Sequence, residues 1–249
     1  MKLAIDIGNT TITIGLSKDG IDILKIYKIN TDKQKSSDEY AVILNDYIKE
    51  CNQVIISSVV PELNEGFRDY FQDTFNLKPM FVGHGIKTGI KINSDNPKEV
   101  GADLISNSVA ATNLYDETCL IIDLGTATTF TYLEDKTLRG AAIATGLTTS
   151  KDALFSKTSL LPQVELRAPK KALGKNSVDA FRSGLIYGHA SMIDGMVRRI
   201  KLEIKKPDLT VIMTGGHTRF IHELCEEKII RDDLLILKGL LIILDKNTN

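Results

Sequence analysis

Two stretches of this chain share one layout. Residues 3–16 read LAIDIGNTTITIGL and residues 120–133 read LIIDLGTATTFTYL. In each, an apolar run ends in a carboxylate, Asp6 or Asp123. An x-Gly step, a polar turn and a second run with alternating apolar positions follow. That alternation around a turn signal is the pattern of a β-hairpin. A chain of 249 residues that carries the same hairpin twice, with its aspartates 117 positions apart, is constrained to a duplicated fold.

The rest of the periodicity agrees. Residues 2–7, 11–17 and 21–29 predict an antiparallel meander, with turns at Asn9-Thr10 and Lys18-Asp19-Gly20. Ser36-Ser37-Asp38-Glu39 signals a helix start, and Tyr40, Ile43, Leu44, Tyr47 and Ile48 form its apolar face. A buried strand over 53–60 stops at Pro61. A helix to about Phe71, a short strand at Pro79–Val82, a loop over 84–97 and a helix from about Pro97 complete the first half. The second half repeats the order. Strands are expected at 118–124, 127–134 and 138–144, helices near 147–156 and 177–204, a strand at 209–215, and helices at 217–226 and near 235–246. The chain therefore reads as α/β, two pseudo-symmetric βββαβα domains, 1–117 and 118–249.

Composition limits the functions. Lysine and arginine total 31 against 32 acidic residues, which gives no electrostatic case for nucleic acid or an anionic membrane surface. No run of 18 apolar residues suggests a membrane span, and residues 1–5 read as a strand and not as a signal peptide. The three cysteines are scattered, as expected of reduced structural thiols in a cytoplasmic protein. His217 and His222 are five apart, which is not a one-face metal spacing.

The hairpins carry the chemistry. Gly8 and Gly125 allow close backbone approach, and Asn9, Thr10, Thr126 and Thr128 can cradle phosphate oxygens. A carboxylate at the strand end, such as Asp6, suits a water-clad Mg²⁺, which takes one or two carboxylates plus phosphates. One such hairpin is better read as turn capping; two at equivalent positions of a duplicated fold favour a ligand. ALGKNS (172–177) is no P-loop, because Pro169 stands where the first Gly is required. GHGIKTG (83–89) also lacks the spacing. TGG (214–216), between a strand and a helix, offers backbone for a nucleotide. Asp103, in the first turn of a helix, is placed to accept a hydroxyl proton. A carboxylate there also serves simply as a helix-start residue.

DIGNT (6–10), NPKEVGAD (96–103), DLGTATT (123–129), GKNSVDAFRSGLIYG (174–188) and TGG (214–216) occur in an order that resembles the type III pantothenate kinases. The resemblance covers essentially the whole chain. It implies two actin/ribonuclease H-like domains and ATP-dependent phosphorylation of pantothenate, the first step of coenzyme A synthesis. It implies that Asp6, Ile7, Gly8, Asn9, Thr10, Thr11, Ile12 and Thr13 contact ATP and, through water, Mg²⁺, together with Thr126, Gly215 and Gly216. Asp103 would be the general base and Asp123 a ligand of a monovalent cation, K⁺ or NH₄⁺. Ser94, Gly101, Ala102, Leu104 and Ser177 would lie on the pantothenate side, and a homodimer is expected. The sequence departs from the family there: Leu104 stands in place of Arg, Ser94 of Tyr, Ser177 of Thr and Thr145 of Pro. Replacing Arg by Leu removes five donors and a charge. Two other readings therefore stay open: a kinase for another small hydroxyl compound, and a non-catalytic nucleotide-binding regulator, for which Asp103 has no use.

Overall fold

The computed structural model describes residues 1–18, 20–48 and 51–248, without the side chains of Asp46 and Tyr47. Asp19 of the expected second turn, the Tyr47 side chain on the first helix and the final residue of the expected second domain lie outside the described residues.

The chain forms two compact units. The first comprises Met1–Tyr115, Lys136–Leu138 and Leu234–Asn249; the second comprises Asp116–Asp135 and Arg139–Asp233. In chain order the first half gives β1 (Lys2–Ile7), β2 (Thr11–Ser17), β3 (Ile23–Asn30), α1 (Ser37–Ile48), β4 (Gln53–Ser58), α2 (Pro61–Phe75), β5 (Met80–Phe81), β6 (Lys91–Ile92) and α3 (Ala102–Leu114). The second gives β7 (Cys119–Leu124), β8 (Ala127–Glu134), β9 (Thr137–Thr145), α4 (Leu147–Lys157), α5 (Ser177–Glu203), β10 (Thr210–Thr214), α6 (Thr218–Ile221), β11 (Ile230–Arg231) and α7 (Leu235–Thr248). The strand orders are β3-β2-β1-β4-β5 and β9-β8-β7-β10-β11, with β6 added beyond β9. Third, second, first, fourth, fifth: the order is the same in both sheets, as duplication requires.

Alternation along β1 and β4 builds two cores on opposite faces of the first sheet. Leu3, Ile5, Ile7, Val54 and Ile56 pack with Leu44 of α1 and Phe67 and Phe71 of α2. Ala4 and Ile55, pointing the other way, pack with Ala102, Ile105 and Val109 of α3 and Leu240 and Leu244 of α7. In the second unit Leu120, Ile122 and Leu124 pack with Leu185, Ile186 and Ile193 of α5. The start of α1 is a capping box: Ser36 Oγ accepts from Glu39 N–H at 3.3 Å, and Glu39 Oε2 accepts from Ser36 N–H at 2.9 Å.

Four expected elements differ. β6 lies inside the expected loop, held by Lys91 N–H to Lys136 O at 2.9 Å and Asn93 N–H to Leu138 O at 3.0 Å. Two residues are too few to show a period. The helix from Pro97 begins as a separate 3₁₀ turn, Pro97–Glu99, and α3 starts at Ala102. The expected helix at 217–226 is a single α turn followed by a 3₁₀ turn, His222–Leu224, and β11 was not foreseen. Burial pushes the Cys119 and Cys225 thiols up to about 12, so both are inert at neutral pH.

Candidate active site

In the first unit β1 ends in register with two neighbours: Asp6 stands opposite Thr13 on β2 and Ser57 on β4. The turn after Asp6 is closed by Gly8 N–H to Thr11 O at 3.1 Å and tied to the next strand by Thr31 Oγ1 to Gly8 O at 2.6 Å. A side chain at Gly8 would come within 3.0 Å of Thr11 O, so the turn is tight. Asp6 and Ser57 follow Ala4 and Ile55 by two residues and share their face, the one covered by α3 and α7. Ser57 is fully buried and its Oγ has no hydrogen-bond partner. An orphaned hydroxyl beside a strand-end carboxylate is a donor set that fits a hydrated hard cation.

Asp103 is the second residue of α3. Its carboxylate folds back on the helix start, where Oδ1 accepts from Leu104 N–H at 2.8 Å. Gly101 must lack a side chain, since a Cβ there would collide with Asp103 Oδ1 and approach Val59 of the strand-end segment that bonds Ile7 O. The carboxylate therefore lies at the end of the sheet that bears the Asp6 turn. Burial pushes its pKa up, opposed in part by the Leu104 and Asp103 N–H groups. A carboxylate raised this way is a better proton acceptor than an exposed one. Leu104 is half-buried beside it and offers no side-chain donor. Ser94 follows β6, its Oγ buried and without a partner. Ser177 is the exposed first residue of α5.

In the second unit Asp123 stands opposite Thr129 on β8 and Thr214 on β10. Gly215 has φ +102°, and a Cβ there would lie 2.5 Å from Asp123 Oδ1 and 2.6 Å from Leu124 N. The TGG turn is thus pressed onto Asp123, and Asp123, Thr126, Gly215 and Gly216 gather at one strand end. Thr149 Oγ1 donates to Thr126 O at 2.7 Å and His217 N–H to Leu124 O at 3.3 Å. The carboxylate and the surrounding hydroxyl and carbonyl oxygens suit a hard monovalent cation better than a soft metal. Among the described residues no cluster of three or more His, Cys, Asp and Glu side chains could hold a metal.

Of two histidines here, the sequence weighed His217 only as a metal ligand and gave no signal for His189. His189 Nε2 lies 2.9 Å from Thr128 Oγ1, and His217 Nε2 lies 3.1 Å from Thr148 Oγ1. Burial, then the neighbouring His217, lowers the His189 pKa to about 4. Burial also lowers that of His217. Both rings are neutral at pH 7 and fix the hydroxyls around the hairpin. His217 directly follows TGG and was discoverable from that position; His189, inside a long helix, gave no signal.

A paired five-strand order with a carboxylate at the end of each first strand defines an actin-like fold. In agreement, the chain superimposes on a ROK family glucokinase from Streptomyces griseus with a TM-score of 0.55 at 12% identity, covering 99% of each chain. The family described as "Type III pantothenate kinase" matches residues 2–199. Proteins named type III pantothenate kinase from Shouchella clausii and an Exiguobacterium species are 42% and 40% identical, over 99% of this chain and 100% and 99% of theirs. The chain belongs to the type III pantothenate kinase family.

Proposed function

We propose that the protein transfers the γ-phosphoryl group of ATP to the primary hydroxyl of pantothenate, giving 4'-phosphopantothenate and ADP, the first step of coenzyme A biosynthesis. The observation that carries the mechanism is the partly buried Asp103 carboxylate, raised in pKa, at the sheet end that bears the Asp6 turn. Asp103 takes the hydroxyl proton as the oxygen attacks the γ-phosphorus. The new O–P bond forms as the bond to the β-phosphate oxygen breaks, and its electron pair leaves with ADP. Asp6 would hold Mg²⁺, and residues Ile7 to Thr13 would supply turn N–H groups and hydroxyls to the phosphates. When bound, the metal neutralises charge on the phosphates. Thr126, Gly215 and Gly216 take part in nucleotide binding, and Asp123 holds K⁺ or NH₄⁺. Ser94, Gly101, Ala102 and Leu104 face pantothenate. Ser177 reaches the substrate of a second copy in a homodimer. Among the described residues no helix is long and apolar enough to cross a membrane, and we place the enzyme in the cytoplasm.

The test is ADP release by the purified protein in K⁺ buffer, with and without pantothenate. Release that depends on pantothenate, with a phosphorylated product and a lower rate in Na⁺, is expected. ATP hydrolysis indifferent to pantothenate would overturn the reading.

Leu104 favours one second reading, a different small hydroxyl acceptor, because it supplies no charged donor beside the base. Leu104→Arg separates the two. A charged hydrogen bond gained to pantothenate would lower its KM about tenfold or more. No gain, with efficient turnover by the natural protein, would show that position 104 does not limit recognition.

A further inference from the structure

Within the second unit, the loop after α4 and the first turns of α5 border a half-open hollow of about 470 Å³. Its wall carries Arg167, Lys170, Lys171, Lys175 and Arg182 against one carboxylate, Asp179. That carboxylate is engaged elsewhere: Asn176 Nδ2 donates to Asp179 Oδ2 at 3.0 Å, and Asn176 Oδ1 accepts from Asp179 N–H at 2.8 Å. Five cations less one carboxylate leave four positive charges facing one space.

Several other cations of the same unit are held by carboxylates. Arg198 and Lys201 are paired with Glu227, Lys206 and Arg139 with Glu134, and Arg231 with Asp233. None of the five around the cavity has an ion-pair partner among the described residues. Arg182 Nε is buried with no hydrogen bond at all. A buried guanidinium nitrogen left unpaired costs free energy, and like charges held together cost more.

The wall is fixed as well as charged. Tyr187 Oη donates to Pro169 O at 3.0 Å, and Ser183 Oγ donates to Ala172 O. Gly174 rests directly on the backbone of Asp179 and Ala180, with no room for a side chain. Two bonds and one close contact thus pin the loop to α5. The volume is that of a small-molecule pocket, and the lysine side of its wall is open to solvent.

We propose that this cavity binds a small polyanion carrying two or more phosphate groups. Four net charges match a diphosphate better than a carboxylate, and Arg182 offers the planar fork that phosphate oxygens accept. None of the residues we assign to ATP lines the cavity, and the proposal rests on no role for the ATP turns.

The probe is inorganic pyrophosphate, titrated calorimetrically into the full chain presaturated with a non-hydrolysable ATP analogue and Mg²⁺. One equivalent should bind, more weakly as KCl rises. Lys170→Gln with Arg182→Gln should weaken it about tenfold or more while leaving the ATP-analogue affinity intact. Lys228→Gln, an exposed cation outside the cavity, should change nothing. If Arg182→Gln does not fold, the exposed pair Lys170→Gln and Lys171→Gln carries the same test. No pyrophosphate binding at millimolar concentration, or equal binding by parent and cavity variants, overturns the proposal.

Discussion

At the end of β1, Asp6 has Thr13 on one side and Ser57 on the other; at the end of β7, Asp123 has Thr129 and Thr214. The two aspartates come from matching sequence, yet their surroundings diverge one residue later. The first turn closes from Gly8 N–H to Thr11 O, the second a residue sooner, from Gly125 N–H to Ala127 O. Beyond β4 the chain runs on through Val59, beside Gly101, into α2. Beyond β10 it bends at Gly215 and lays backbone over Asp123. On the proposed mechanism, one end serves a proton acceptor and phosphate, the other a cation. Duplication supplied the carboxylates, and the strand that follows the hairpin set what each can do.

The largest expected effect separates the ends outright. Asp103→Asn should lower kcat by about a hundredfold or more, with ATP affinity kept. The same variant should be more stable at neutral pH. A carboxyl whose pKa is raised by folding holds its proton better folded than unfolded, so stability falls as pH rises through that window, and Asn removes the cost. In the natural enzyme kcat/KM should fall as acid protonates Asp103. Normal turnover by Asp103→Asn would leave it a helix-start residue only.

The second unit should carry its own acid sensitivity. His189 is depressed to about 4, so the unfolded chain binds the proton first. Stability should drop as pH falls from about 6.5 towards 4, by up to about 3 kcal/mol. Denaturant melts of His189→Gln should lose that part of the slope. An unchanged slope would mean that the ring does not stay neutral in the folded unit.

Glycine substitutions sharpen the contrast in turn shape. Gly215→Ala meets both a left-handed φ and Asp123, and should cost about 1–3 kcal/mol with weakened K⁺ dependence. Gly8→Ala meets only a tight contact at 3.0 Å and should cost less, as seen by thermal melting. Equal losses would erase the distinction.

The smallest effects are in binding. Asp6→Ala should weaken Mg²⁺-ATP binding about tenfold, and Asp123→Ala should weaken the response to K⁺ by a smaller factor. Calorimetric titration of ATP with and without K⁺ reads both. If the two variants behave alike, the two carboxylates do not serve different ions.

Strand positions were legible because alternation and turn residues are local: β1, β2, β7 and β8 follow from Ile12, Ile14, Gly8 and their counterparts within a few neighbours. Asp103 was legible as a helix-start carboxylate, and its partial burial was not, because that depends on the β4-end segment around Val59 approaching Gly101 from far along the chain. The 3₁₀ break before α3 and the short β6 and β11 have too few residues to show a period.

By itself the sequence determined that there are two related hairpins, where their strands run, and which carboxylates end them. Hydrophobic alternation and turn chemistry act between near neighbours. Only the tertiary structure decided that Ser57 lies beside Asp6, that Gly215 covers Asp123 and that His189 reaches Thr128. It also gathered the cations of the α5 loop around one space. Each of those relations joins residues many positions apart, held by sheet register and helix packing that local pattern does not encode.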